Sequence, residues 1–165
     1  MTDFAKIGRP RTTCAFLTGA AALFCLAAAS VADVPSHLTA TGTVSPAVIK
    51  AGGKGTLTVK LKIASGFHVN AVKPLQSYLV PTQITIGGLP GFVFGNPVYP
   101  VPVTIQEGTD KVVAYQGITV VKIPFTVKAG AKSGKVLGTV DYQACTTASC
   151  FPPTTAKFST SVTVK

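Results

Sequence analysis

The sequence predicts an all-β, immunoglobulin-like sandwich behind a cleaved export signal, on three observations. Several short stretches alternate apolar and polar residues with a period of two, the pattern of strands with one face in a core. Turn residues punctuate them at short intervals, and Gly (16) and Pro (12) make up about a sixth of the 165 residues. Beyond the N-terminal region, no ten-residue stretch has the spacing of an amphipathic helix. Charged residues are only 12% of the chain and hydrophobic residues 47%, the reverse of the balance that keeps a chain disordered.

The N-terminal region comes first. Lys6, Arg9 and Arg11 precede an uncharged apolar run from Cys14 to Ala29. The run is shorter than the ~20 residues of a spanning helix and fits the core of a signal peptide. Small residues in Ser30-Val-Ala32 place cleavage after Ala32, with Ala29 as the neighbouring alternative. Residues 1–32 are therefore expected to be a signal peptide and residues 33–165 one domain, with no stable membrane insertion of the processed chain. Removing Lys6, Arg9, Arg11 and Asp3 from the 15 basic and 5 acidic residues leaves twelve lysines and four acids. The formal charge falls from +10 to +8, without a single Arg. An exported, Arg-free domain with no aromatic-basic stripe argues against nucleic acid. Two cysteines also leave with the signal, and Cys145, Cys150, His37 and His68 lack zinc-site spacing. No metal or organic cofactor is expected.

The strands follow in order. Segments near 38–44, 67–70, 83–87, 92–94 and 136–144 have strand composition. In 57–63, Leu57, Val59, Leu61 and Ile63 share a face opposite Thr58, Lys60 and Lys62. Residues 117–127 shift phase near Val120–Val121, which predicts a bulge, and Pro124 predicts an edge or irregular position. In 158–164, Phe158, Val162 and Val164 point inward. Seven or eight such strands fit a sandwich. An antibody-type domain is excluded by the absence of Trp and by cysteines only five positions apart.

The cysteines sit after a strand in which Val136, Val140 and Tyr142 face one way. Extending that parity puts Cys145 with Asp141 and Gln143 on the polar face, in a partly exposed loop. Four intervening residues can fold back far enough for a disulfide. Two uses are open: a structural staple, and a redox pair. A ring this short stabilises by only ~2 kcal/mol through loop entropy, and an exposed loop disulfide is one that a partner thiolate can reach.

The wording of this region, Val140-Asp-Tyr-Gln-Ala-Cys-Thr-Thr-Ala-Ser-Cys-Phe-Pro-Pro153, resembles the signature of the N-terminal periplasmic domain of the thiol:disulfide interchange protein DsbD, also filed as disulfide bond corrector domains. Gly66-Phe-His-Val-Asn70, Tyr78-Leu-Val-Pro-Thr82 and Tyr115-Gln-Gly117 are similar to further segments of that family, in the same order. The resemblance implies an immunoglobulin-like fold in which Cys145 and Cys150 cycle between dithiol and disulfide, with Cys150 forming the mixed disulfide. It implies a periplasmic location, with secretion as the alternative. The implied partners are a thioredoxin-like or membrane electron donor and disulfide-containing envelope client proteins. Tyr99 stands roughly where the family carries an aromatic cap. The full interchange protein continues into membrane and thioredoxin-like domains, whereas this chain stops at Lys165, so the donor is expected on another polypeptide.

His68 is a candidate to tune a cysteine, and Asn70 and Gln143 to orient the loop. Asp141 would disfavour a thiolate if close. Tyr142, Phe151 and Pro152 flank the pair, and Pro152 with Pro153 is expected to fix the exit from the loop. The competing expectation is a non-catalytic binding module whose lysines, Lys60 and Lys62 among them, meet anionic partners.

Overall fold

A computed structural model describes residues 36–165, so the expected signal peptide lies outside the described residues. These residues form twelve strand segments and no helix. The first sheet has the order β1 (Leu38–Ser45), β3 (Lys54–Ile63), β9 (Ile118–Val127), β6 (Phe92–Phe94). The second runs β2 (Val48–Ile49), β12 (Thr154–Val164), β10 (Gly134–Tyr142), β5 (Gln83–Ile86). The third runs β11 (Ala144–Cys145), β4 (His68–Asn70), β8 (Asp110–Gln116), β7 (Val103–Glu107). Neighbours are antiparallel throughout, apart from the short β2–β12 pair.

Alternation explains why one core forms. Leu57, Val59 and Leu61 of β3 and Val121, Ile123 and Phe125 of β9 project from the first sheet. They meet Val136, Val140 and Tyr142 of β10, Phe158 of β12, and Val69 and Tyr115 of the third sheet. Each fully buried side chain of this size contributes ~1.5–3 kcal/mol relative to exposure.

The expected bulge in β9 does not occur. Its register with β3 is unbroken from Lys54↔Thr126 to Lys62↔Ile118, and every second residue from Thr119 to Val127 is buried. The apparent change of phase came from Ile118 and Val120, apolar residues that face outward. Pro124 is accommodated because β6 stops beside it. Its carbonyl accepts from Gly95 N at 2.8 Å, so its missing N–H faces the gap between the Phe94↔Phe125 pair and the Val98↔Lys122 bridge. The strand reading also missed β2, β7, β8 and β11. The β7–β8 hairpin closes at Gly108, whose φ of 57° is the left-handed region glycine adopts at least cost.

Candidate functional site

The chain passes from the second sheet to the third at Gln143, between the end of β10 and the start of β11. This corner breaks the parity expected from sequence: Ala144 and Cys145 are both buried, and Cys145 is only 1% exposed. Asp141 stays behind on β10, accepting a 2.6 Å hydrogen bond from Thr155 Oγ1. It does not share a face with Cys145, contrary to the parity reading.

Past Cys145 the chain doubles back as a tight hairpin. Thr146 N donates to Ser149 O and Phe151 N to Ala144 O, each at 2.8 Å. The Thr146 hydroxyl accepts from Ala148 N at 3.3 Å and Ser149 N at 3.2 Å, which holds the turn. Cys145 and Cys150 thus face each other as the non-hydrogen-bonded pair between two bonded ones, the position where antiparallel side chains lie closest. They are joined as a disulfide with Cα atoms 4.0 Å apart. Its two ends differ, since Cys145 is buried and Cys150 exposed.

Polar side chains tie this hairpin to its surroundings. Asn70, 1% exposed, donates through Nδ2 to Val80 O at 3.1 Å and Gln143 Oε1 at 3.4 Å. Gln143 Oε1 also accepts from Val80 N at 3.3 Å, and its Nε2 donates to Phe151 O at 3.1 Å. Thr82 Oγ1 donates to Asn70 O at 2.6 Å. Asn70 and Gln143 therefore connect β4, the 79–82 segment and the residue after Cys150.

His68 is the Cα partner of Cys145 across β4 and β11, so both side chains lie on one face of the third sheet. Its Nε2 is 2.8 Å from Glu107 Oε1, off the line of a full hydrogen bond. Burial lowers the His68 pKa from its ordinary 6.5, with attraction to Glu107 opposing. The unfolded chain then takes up the proton more readily, so stability is expected to fall as pH drops below about 6.5. Urea midpoints at pH 7.5 and 5.5 should differ for the wild type and converge in His68→Gln. An unchanged difference would show that the pH dependence lies elsewhere.

Aromatic residues cluster around Phe151, the residue after Cys150. Phe151 packs against His37 and Phe67, with centroids 4.7 and 5.6 Å away, and His37 stacks on Phe67 at 4.0 Å. Tyr99, the expected cap, has a hydroxyl that accepts from Ile84 N at 2.9 Å and a ring that stacks on Tyr115. Tyr142 belongs to the core, with its hydroxyl 3.4 Å from Ser36 Oγ. Pro152 and Pro153 form the exposed link into β12. Sequence reasoning missed Glu107, Thr82, Thr146 and His37. The Thr-x-x-Ser turn was a readable signal for Thr146, whereas nothing near His37 or Glu107 in sequence pointed to the pair.

The family described as thiol:disulfide interchange protein DsbD, N-terminal, matches residues 36–162. No curated protein sequence matches significantly. Among solved structures, the N-terminal periplasmic domain of ScsB from Proteus mirabilis is 13% identical with a TM-score of 0.46, over 73% of this chain and 43% of that one. The reduced DsbD N-terminal domain of Neisseria meningitidis is 20% identical with a TM-score of 0.42, over 65% of this chain and 77% of that one. The chain thus spans under half the length of the ScsB chain. With an all-β fold and a hairpin disulfide inside a match that covers most of its length, this chain belongs to the family of DsbD N-terminal domains.

Proposed function

We propose that this domain passes electrons by thiol–disulfide exchange through Cys145 and Cys150, with Cys150 as the sulfur that meets partners. The observation that carries this reading is the unequal exposure of one disulfide, since a partner thiolate must reach the sulfur it attacks and Cys150 is the exposed residue of the two. A donor thiolate attacks Cys150 Sγ, and Cys145 leaves as a thiolate and takes up a proton. The donor's second thiol then releases Cys150, so the donor departs as a disulfide. In the second half, the Cys150 thiolate attacks a client disulfide and forms a mixed disulfide. Cys145 then attacks Cys150 Sγ, restoring the internal disulfide and releasing the client as a dithiol. Two electrons and two protons pass from donor to client.

A thioredoxin-like or membrane-bound dithiol fits the donor role, and oxidised envelope proteins fit the client role, in the periplasm. The family supports that setting. The short ring argues the same way as the exposure, since it stabilises the fold by only ~2 kcal/mol, little for a staple to contribute.

Equilibration in glutathione buffers with mass-based thiol trapping tests the reading. Exchange with the pair while the fold persists is the expected result, and a disulfide that yields only on unfolding would leave it a staple. Cys145→Ala should accumulate a mixed disulfide through Cys150. Accumulation only in Cys150→Ala would reverse the order.

A further inference from the structure

The outer face of the first sheet carries a surface that the exchange chemistry itself does not use. Register sets Lys60 opposite Val120 and Lys62 opposite Ile118, and Lys122 is bridged to Val98. All three lysines are exposed. Beside them Ile118 is 67%, Val98 61% and Val101 91% exposed. Single exposed apolar residues are ordinary, but a set of them bordered by one sign of charge marks an interaction surface. The three acids among the described residues lie elsewhere. Glu107 is on His68, Asp141 on Thr155, and Asp110 at the start of β8.

The surface also leads to the disulfide. A groove of about 360 Å³ is lined by Val101, Val103, Ile118 and Val120. A second, of about 530 Å³, shares Ile118 and continues past Lys62 to Gly66 and Phe67. Phe67 packs on Phe151, the residue after Cys150. The apolar strip and its lysine border therefore lead to Phe151, the neighbour of Cys150.

We propose that this strip is a docking track for the exchange partner, which carries an acidic surface with an apolar centre. The lysines supply steering and discrimination, and the valines and Ile118 supply desolvated contact. The proposal rests on the exchange reading above, and it adds the chemistry of the partner.

The test uses the reduced protein and two peptides, each linked through its single Cys to thiopyridine. One peptide alternates Glu and Val ahead of the Cys, and the other has Ser in place of Glu. At low salt the acidic peptide should react about tenfold faster. That preference should vanish at high salt and in Lys60→Glu/Lys62→Glu, and shrink in the milder Lys60→Gln/Lys62→Gln. Rates with neutral dithiodipyridine should be unchanged in both variants. Equal rates for the two peptides with the wild type, or a preference that survives both variants, would overturn the proposal. So would an equal slowing with dithiodipyridine, because the lysines would then be acting on the thiol. Lysine-dependent sedimentation with phosphatidylglycerol vesicles, without any peptide preference, would assign the face to a membrane instead. Failure of the exchange reading is distinct: the disulfide would then yield to reductant only on unfolding, and no folded dithiol would form for the assay.

Discussion

Gly138→Val is expected to lower stability by about 3 kcal/mol and the melting temperature by roughly 10 °C. Gly138 faces inward on β10, directly opposite Phe158 of β12. A Cβ at this position would stand 2.7 Å from Phe158 Cε1 and 2.9 Å from Cε2, closer than carbon atoms approach. A Cβ at Gly42 of β1 would stand 3.1 Å from Phe158 Cδ2. The ring thus fills space left by two glycines on two different sheets, and a β-branched residue must expel it. Ala should cost about half as much, since it adds less volume against the ring. Combining Gly138→Val with Phe158→Leu should recover more than 1 kcal/mol relative to additivity, which is the signature of direct contact. Wild-type melting of Gly138→Val would show that the ring has another place to go.

Asn70→Ala is expected to cost about 2–3 kcal/mol and to open the disulfide hairpin. It removes a buried donor that serves Val80 O and Gln143 Oε1, leaving a half-buried carbonyl without its partner. Gln143 then loses one of its anchors, and with it the hold on Phe151 O. Gln143 is only half-buried, so water can replace its partners and Gln143→Ala should cost about 1 kcal/mol. In the reduced protein, alkylation of Cys145 should rise roughly tenfold in Asn70→Ala, the effect of lowering a local opening free energy by about 1.4 kcal/mol. Cys150 is already exposed and should change little. A wild-type urea midpoint together with unchanged Cys145 alkylation would remove Asn70 from the support of the site.

Much of this fold was legible because burial and parity coincide. Leu57 to Ile63 announces β3 and its buried face without ambiguity, and Phe158 to Val164 does the same for β12. Legibility failed where tertiary context overrode the local pattern. Ile118 and Val120 are apolar yet outward, so β9 looked bulged. Parity ran straight through Gln143, whereas the chain turns there between sheets and buries Cys145. The cysteine pair itself was legible from spacing and wording, whereas the bonds that join Asn70 and Gln143 to each other and to Phe151 follow from the fold. Glu107 was not legible, since it reaches His68 only through a hairpin whose curvature has no local sequence signal. The hydroxyl of Tyr99 satisfies a backbone amide of β5, a partner that no local signal in the sequence indicated.

The two backbone bonds that bracket the cysteines have a further consequence. Ala144 with Phe151, and Thr146 with Ser149, close the hairpin through atoms that take no part in oxidation. Two thiols in that frame are held at a high effective molarity, because the entropy of bringing them together was lost when the chain folded. In the client half-reaction ring closure should therefore outrun escape, and the mixed disulfide on Cys150 should be short-lived whenever Cys145 is present. On this view the hairpin acts as a clock on partner residence: its rigidity sets how long a partner stays covalently attached before it is let go.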